Sequence, residues 1–194
     1  MSDRQSCWKI ITYDTFENSS DNNYNEGSEV SRSDDESKSK CGGNCACTGN
    51  WAMKMLDNSG VDSSFYHKDG QSCVSYAHLR VSFQFMWSRS EAFDAFYLEI
   101  SIDDGEEHII ALSWALQSDA MNHFIENEKC YEDSIILDAK TTFGFDFFTD
   151  QTKLRFRSNA NGGNDSVHVD EIKFEGADVN SCGMRSRSGH DEEN

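Results

Sequence analysis

The chain contains no proline, no long hydrophobic run and few basic residues. Its 194 residues include 17 lysines and arginines against 35 aspartates and glutamates, which gives a formal net charge of −18. A nucleic-acid-binding surface needs clustered basic side chains that displace counterions from phosphates, so this charge argues against a nucleic-acid partner. The charge also argues against a surface for acidic lipids. Such an acidic surface suits cation binding or solubility instead.

The lack of a long hydrophobic run argues against a membrane-spanning helix and against a signal peptide in this sequence. No apolar segment approaches the roughly 20 residues that a membrane-spanning helix needs, so we expect no membrane insertion. The first residues, 1–6, are polar, and no apolar segment of a signal peptide follows them. Without proline, the turns must be built from glycine, asparagine, aspartate and serine.

The seven cysteines of the chain predict disulfides. Scattered cysteines in a loop-rich β-protein are typical of an oxidising compartment, which predicts an extracellular or cell-surface location. The odd number leaves one thiol that is free or that assembles with another chain. Zinc binding by the cysteines of the 41–47 segment is the alternative, but C-x3-C-x-C is not a usual zinc-finger spacing. The disulfide candidates are Cys41, Cys45, Cys47, Cys73 and Cys130, with Cys7 as a further partner.

Alternating apolar and polar residues predict a series of short β-strands. The clearest strand is 78–87, and the runs 96–102 and 108–114 flank an Asp-Asp-Gly sequence that predicts a hairpin. The other predicted strands are 10–16, 51–55, 134–137, 142–148, 153–157 and 167–174, with an edge strand near 24–31. With no convincing helix, this pattern predicts an all-β fold, an antiparallel jelly-roll β-sandwich in a single domain.

The predicted sandwich spans residues 10–176. An N-terminal segment, 1–9, precedes it, and a polar tail, 177–194, follows it. A long polar loop, 18–50, interrupts the strand pattern because it contains almost nothing to bury.

The last predicted strand, 167–174, changes its buried face in the middle. A strand cannot change faces without an extra residue, because its side chains alternate with a period of two. We therefore predict a β-bulge at Asp170-Glu171, which turns an acidic side chain out of the regular ladder. The apolar residues before and after the change are Val167, Val169, Ile172 and Phe174.

Several motifs resemble those of the jelly-roll carbohydrate-binding modules and the related MAM-like extracellular domains. They are Asp14-Thr-Phe-Glu17 near the start, and Leu154-Arg-Phe-Arg157 and Val169-Asp-Glu-Ile-Lys-Phe174 near the end. The stretch 96–105 is similar to a hairpin of extracellular β-sandwich domains. The resemblance implies a β-sandwich whose first and last strands are neighbours.

The resemblance also implies a structural calcium ion as a cofactor. In these relatives, acidic residues near the first strand and in the last strand often frame calcium. The matching positions are Glu17 and Asp170, with Asp14 as a neighbour. Calcium takes six to eight oxygen ligands, and carbonyls released by a bulge would complete such a set. Glu171 stands where many relatives have a second aspartate.

The function predicted from these features is a non-catalytic extracellular binding module. Its expected partner is a glycan or an extracellular protein, in adhesion or targeting. Sugar recognition uses exposed aromatic rings that stack on pyranose faces. The candidate ligand-binding residues are Trp114, Tyr97 and Tyr66.

Two alternatives belong to other functional classes. A β-sandwich glycoside hydrolase needs two carboxylates facing each other across a cleft. Glu99 and Asp103 are close in sequence but lack the closely spaced acidic array of jelly-roll glucanases. The other alternative is a structural matrix or coat protein whose acidic surface binds divalent ions or mineral.

Overall fold

The computed structural model describes residues 7–18, 23–27, 30–33, 46–56, 63–88, 94–115, 128–159 and 165–178. Within these ranges no helix has the length and hydrophobicity needed to span a bilayer. The helix is α1 (Ala139–Phe143), and the strands are β1 (Lys9–Asp14), β2 (Tyr24–Glu26), β3 (Val30–Ser33), β4 (Ala52–Leu56), β5 (Ser63–His67), β6 (His78–Ser88), β7 (Ala95–Ser101), β8 (Ile109–Ala115), β9 (Cys130–Asp138), β10 (Lys153–Ser158) and β11 (Ser166–Ala177).

The strands form two antiparallel sheets. The six-stranded sheet has the order β3-β4-β11-β6-β9, and β1 also pairs with β11. The five-stranded sheet has the order β2-β5-β10-β7-β8. In β11, residues 166–169 pair with β4 and residues 172–176 pair with β1. The predicted antiparallel jelly-roll sandwich is confirmed, and the first and last strands are neighbours as expected.

Aromatic side chains fill the space between the two sheets. The Phe83 ring of the six-stranded sheet contacts the rings of Trp114 and Phe156 in the five-stranded sheet, with centroid distances of 5.3 and 5.2 Å. The Phe96 and Phe156 rings are stacked at 5.9 Å. Burial of each large apolar side chain contributes about 1.5–3 kcal/mol to folding. The core therefore explains how a chain of low mean hydropathy folds.

The predicted strand at 142–148 is wrong. Residues 139–143 form α1, and the segment after it is irregular. Asp138 caps the helix by accepting a hydrogen bond from the Thr141 N–H at 2.8 Å, and Gly144 ends it in the left-handed conformation with φ of 83°. These local capping signals outweigh the alternation of phenylalanines at 143, 145 and 147.

The polar loop predicted at 18–50 contributes two strands, β2 and β3. They pair with β5 and β4, one in each sheet. Strand β5 was not predicted from the sequence, because its two aromatic residues, Phe65 and Tyr66, are adjacent and the other three residues are polar, so no alternation is visible. The predicted hairpin is confirmed: β7 pairs with β8, and Asp104 and Gly105 have positive φ values of 63° and 94° in the turn.

Candidate functional site

The outer surface of the five-stranded sheet carries a group of polar and aromatic side chains. In β7 and β10, apolar residues toward the core alternate with polar or aromatic residues toward the outside, and in β5 the buried Phe65 and His67 flank the outward Tyr66. In register, Arg155 lies between Tyr66 and Glu99, and Arg157 lies opposite Tyr97. We call these five residues the Glu99 face.

Glu99 is at the centre of this face and is only 4% exposed. One of its carboxylate oxygens accepts a hydrogen bond from the Arg155 Nε, and the other accepts one from the Arg157 Nε at 3.0 Å. A buried carboxylate is costly unless it is paired and hydrogen-bonded, and two guanidinium groups satisfy both requirements. The arrangement fixes two positively charged groups on a protein whose net charge is strongly negative.

Two of the three predicted ligand-binding aromatics lie on the Glu99 face. Tyr66 is 37% exposed, and Tyr97 is partly buried beneath the Arg157 guanidinium, 4.1 Å from the ring centroid. The Tyr97 hydroxyl also accepts a hydrogen bond from the Asn159 side-chain amide at 3.4 Å. Cation–π stacking and this hydrogen bond restrict the Tyr97 ring to one orientation.

Trp114 does not lie on this surface, contrary to the expectation that its ring is exposed. The ring is 2% exposed, is stacked on Phe96 at 4.8 Å, and donates its indole N–H to Asp133 at 2.9 Å. Trp114 pairs directly with Phe96, and cross-strand partners face the same side of a sheet. Because Phe96 is a core residue, Trp114 is one too.

A histidine lies at the border of the Glu99 face. Burial and the positive charge of Arg155 lower the pKa of His108, although Glu99 and Asp103 act in the opposite direction. Its Nε2 atom is buried and has no hydrogen-bond partner within the described residues. The nearby Asp103 accepts hydrogen bonds from the Ser101 hydroxyl at 2.5 Å and the Glu107 N–H at 3.1 Å.

The predicted bulge is present in β11. The pairing of β11 with β6 shifts between Asp170 and Lys173, and Glu171 has a φ of 50°. A left-handed residue in a strand is what allows the buried face to change, since it reverses the parity of the side chains that follow. Asp170 is buried and accepts a hydrogen bond from the Thr48 N–H of the 46–51 loop, whereas Glu171 is only partly buried and accepts a hydrogen bond from the Tyr13 hydroxyl.

The 46–51 loop connects Asp170 with Glu17. The Thr48 N–H donates to Asp170 at 3.0 Å, and the N–H groups of Asn50 and Trp51 both donate to Glu17 at 2.8 Å. Gly49, with φ of +66°, lies so close to the Glu17 carboxylate that a side chain would collide with it. The two acids predicted from opposite chain ends therefore contact the same loop.

Asp170 lies in an environment that is unfavourable to its charge. Burial, together with the negative charges of Glu171 and Glu17, raises the pKa of Asp170 to about 6, although the N–H groups of Thr48 and Glu171 stabilise the charged form. Arg32 supplies positive charge nearby: its guanidinium donates to the carbonyl oxygens of Phe16 and Glu17.

Asp14 contacts a different segment of the chain. Its carboxylate accepts hydrogen bonds from the backbone and side-chain nitrogens of Asn23 at 3.0–3.1 Å. Among the described residues, no group of three or more histidines, cysteines, aspartates or glutamates is arranged to hold a metal ion. The calcium site predicted from the resemblance, at Glu17 and Asp170 with Asp14 as a neighbour, stays a prediction.

One predicted disulfide is present among the described residues, between Cys47 and Cys130. Cys7 is also disulfide-bonded. Cys73 is not a disulfide partner: it is a free and fully buried thiol, and burial raises its pKa to about 12. Its burial leaves this thiol unable to join another chain. Cys41 and Cys45 lie outside the described residues.

The charged part of the Glu99 face was not predicted from the sequence. Arg155 and Arg157 alternate with buried Leu154 and Phe156, and Glu99 has the same parity as Tyr97. The alternation alone would have placed each of these side chains outward. What the sequence does not show is that β7 and β10 are neighbours, which brings the three charges together.

Comparisons with known proteins identify the fold. No protein-family model matches the chain, and no curated protein matches its sequence. The C-terminal family 22 carbohydrate-binding module of Clostridium thermocellum Xyn10B superposes with a TM-score of 0.57 at 10% identity, covering 87% of this chain and 93% of that one. The CBM22-1 xylan-binding domain of Paenibacillus barcinonensis Xyn10C gives 0.52 at 8% identity, covering 88% and 96%.

A third solved structure belongs to a different functional class. The carbohydrate esterase vb_24B_21 of the Shiga toxin-encoding bacteriophage phi24B gives a TM-score of 0.51 at 12% identity, covering 88% of this chain and 99% of that one. One fold therefore occurs in binding modules and in an esterase, and function must be argued from the site. This chain has the jelly-roll β-sandwich fold of carbohydrate-binding modules, as its motifs predicted.

Proposed function

We propose that this protein is a non-catalytic glycan-binding module and that the Glu99 face is its binding surface. The observation that carries the proposal is the ordered row of aromatic and charged groups on this face. Tyr66 offers an exposed ring and Tyr97 a second ring beside it for contact with a sugar, while the partly exposed Arg155 guanidinium, held by Glu99, offers hydrogen-bond donors to hydroxyl groups. Because ion pairing and stacking hold these groups in place, little conformational entropy is lost on binding.

The comparisons support the proposal through the architecture. The neighbours include a family 22 carbohydrate-binding module and a xylan-binding domain, and both align over almost their whole length. A polysaccharide is therefore the first ligand class to test. We further propose that the module acts outside the cell in adhesion or targeting, since the Cys47–Cys130 disulfide requires an oxidising compartment. A protein partner is the competing ligand class.

A hydrolase is less well supported. Glycoside hydrolysis requires an acid and a second carboxylate on opposite sides of the scissile bond. Both oxygens of Glu99 accept hydrogen bonds from guanidinium groups, and Asp103 is engaged by Ser101 and Glu107. Neither carboxylate is placed to protonate a leaving group.

The proposal is tested by glycan-array screening followed by calorimetry on the best ligand. We expect Tyr66→Ala and Tyr97→Ala each to weaken binding about tenfold or more, because truncation of a stacked tyrosine usually costs at least 1–2 kcal/mol of binding free energy. Phe147→Ala is the matched control, since Phe147 is an exposed aromatic residue outside the face. Equal affinity in all three variants, or binding of no glycan, would refute the proposal. Release of reducing sugar or acetate from the bound ligand would favour an enzyme.

We propose in addition that Glu17 and Asp170 hold a structural calcium ion. The support is that the two carboxylates contact one loop, and that Asp170 is buried beside negative charges that a cation would offset. Hard carboxylate oxygens are the ligands that calcium prefers. Bound calcium would fix the 46–51 loop against the first and last strands.

A further inference from the structure

A cleft lies on the outer face of the six-stranded sheet, on the side of the sandwich opposite the Glu99 face. Its volume is about 420 Å³. Ile10 and Tyr13 of β1 line one side, and Glu132 of β9 lines the other. The bulged residue Glu171 also lines it, and we call it the bulge cleft.

The sequence creates the cleft by placing small residues between large ones. Ser82 of β6 pairs with Ser134 of β9, so two short side chains lie side by side at the centre of this part of the sheet. Tyr13 rises beside them, and its hydroxyl donates a hydrogen bond to Glu171. A regular strand would not present Glu171 here, because the positive φ of the bulge directs its side chain outward.

Two carboxylates flank one end of the bulge cleft. Gln84 of β6 pairs with Glu132 on one side and with Asp170, the neighbour of Glu171, on the other. Glu132 is exposed and has neither an ion pair nor a hydrogen bond within the described part of the chain. Glu171 uses one oxygen for Tyr13 and makes no ion pair among the same residues. This end of the cleft therefore carries negative charge that none of the described residues neutralises.

The basic residues near the cleft are directed elsewhere. Lys173 also lines it, but its ammonium group is 2.9 Å from the buried carboxylate of Glu175. The second oxygen of Glu175 accepts the Arg80 guanidinium at 2.6 Å. Both cations are thus held at Glu175, at the end of the cleft away from Glu132.

The cleft also offers apolar surface. Ile10 is 59% exposed and Tyr13 is 50% exposed, which is unusual for large apolar side chains so close together. An apolar wall beside two carboxylates matches a cationic group on an aliphatic stem, since the stem packs against the wall and the cation pairs with the acids.

We propose that the bulge cleft binds an alkylammonium or guanidinium group, the chemistry of a lysine or arginine side chain. The net charge of −18 attracts such cations over a distance, and the Tyr13 ring and the two carboxylates define where they bind. The site lies on the other sheet from the Glu99 face, and it uses neither of the proposed calcium ligands, Glu17 and Asp170.

The experiment is an NMR titration of the ¹⁵N-labelled protein in the presence of a chelator. N-acetyl-lysine N-methylamide and N-acetyl-arginine N-methylamide should shift the amide signals of Tyr13, Gln84 and Glu171. The neutral N-acetyl-norleucine N-methylamide has the same stem and should shift them far less. Spermidine carries alkylammonium groups but no peptide group. Shifts with spermidine as well as with the lysine derivative would show that the cleft also accepts a free polyamine, whereas shifts with the lysine derivative alone would show that it needs the amino-acid backbone.

Matched variants decide whether the cleft is responsible. We expect Glu171→Gln and Glu132→Gln each to weaken binding about tenfold, as removal of one charge-assisted hydrogen bond does. Glu106→Gln makes the same change of charge in the exposed β7–β8 turn and should have little effect. Glu132 is exposed, so its variant remains informative even if Glu171→Gln fails to fold. Binding of norleucine with equal strength, equal losses in all three variants, or no shift with any cation would overturn the proposal.

Discussion

Cys47 and Cys130 are 83 residues apart in the chain, yet a disulfide holds their Cα atoms 5.6 Å apart. The bond ties the 46–51 loop to the start of β9. The same loop donates backbone hydrogen bonds to Glu17 and Asp170. One covalent link therefore fixes the loop on which the junction of the first and last strands depends.

Removal of this disulfide should destabilise the protein strongly. A disulfide that closes a loop of this length lowers the conformational entropy of the unfolded chain, which stabilises the folded protein by about 4 kcal/mol. We expect the double variant Cys47→Ser/Cys130→Ser to lose about that free energy of unfolding in urea titrations. The loss should also increase proteolysis within 46–51. A loss below about 1 kcal/mol would mean that the hydrogen bonds of the loop suffice without the disulfide.

Asp170 should make the protein less stable as the pH rises from about 4 to about 6. The pKa of Asp170 is about 6 in the folded protein, against an ordinary value of 3.8, so the folded state binds the proton more tightly than the unfolded state. Protonation therefore favours folding at low pH, and this contribution is lost as the pH passes the folded pKa. Its upper limit is about 3 kcal/mol.

The variant Asp170→Asn isolates this effect. Free energies of unfolding are measured for both proteins with chelator at pH 4.5 and 7.5. We expect the free energy of unfolding of the wild type to fall relative to that of the variant between pH 4.5 and 7.5. The amide changes stability by the same amount at both pH values, so this comparison is unaffected by it. Parallel profiles for the two proteins would show that the Asp170 carboxyl titrates normally.

Glu99 should be important for stability as well as for binding. Glu99→Ala leaves two guanidinium groups facing each other without their shared carboxylate. Removing one partner of a buried ion pair is strongly destabilising, because the other charge stays buried without its partner. Since the two arginines are partly exposed, we expect a smaller loss of about 2–3 kcal/mol in the free energy of unfolding. Glu106→Ala, in an exposed turn, should change stability by less than about 0.5 kcal/mol. Similar values for both variants in urea titrations would contradict the central role of Glu99.

Calcium should raise the melting temperature if Glu17 and Asp170 bind it. Saturation at one hundred times the dissociation constant stabilises a protein by about 2.7 kcal/mol, which corresponds to a rise of about 5 °C or more for a chain of this size. We expect the rise to disappear in Glu17→Gln and to remain in Glu107→Gln, an exposed control. An unchanged melting curve at saturating calcium would remove both residues from a metal site.

The sequence pattern predicted the bulge in β11 correctly but did not predict that Trp114 is buried. The change of parity between Val169 and Ile172 predicted the bulge, because a strand offers no other way to bury both residues. The run containing Trp114 was ambiguous, since the register of β7 with β8 shifts between Leu98 and Glu99 and an irregular edge strand has no constant parity. Only the pairing with Phe96 decides that the Trp114 ring is buried.

The Glu99 face likewise has one part that the sequence predicts and one part that only the structure shows. The outward positions of Tyr66 and Tyr97 follow from local alternation, and Tyr66 and Tyr97 were predicted as ligand-binding residues. The ion pairs of Glu99 with Arg155 and Arg157 join β7 to β10, which are more than 50 residues apart in the chain. No local pattern identifies that neighbour, because strand order in a sheet is set by the packing of the whole sandwich.

The sequence by itself determined the all-β class, the main strands, the bulge at Asp170-Glu171 and the meeting of the two chain ends. These follow from side-chain periodicity and turn chemistry, which act over a few residues, and from motifs that resemble a known fold. Only the tertiary structure decided that Cys47 pairs with Cys130, that Asp14 accepts hydrogen bonds from Asn23, and that Glu171 and Glu132 line one cleft. Those contacts depend on which strands become neighbours, and long-range packing determines that choice.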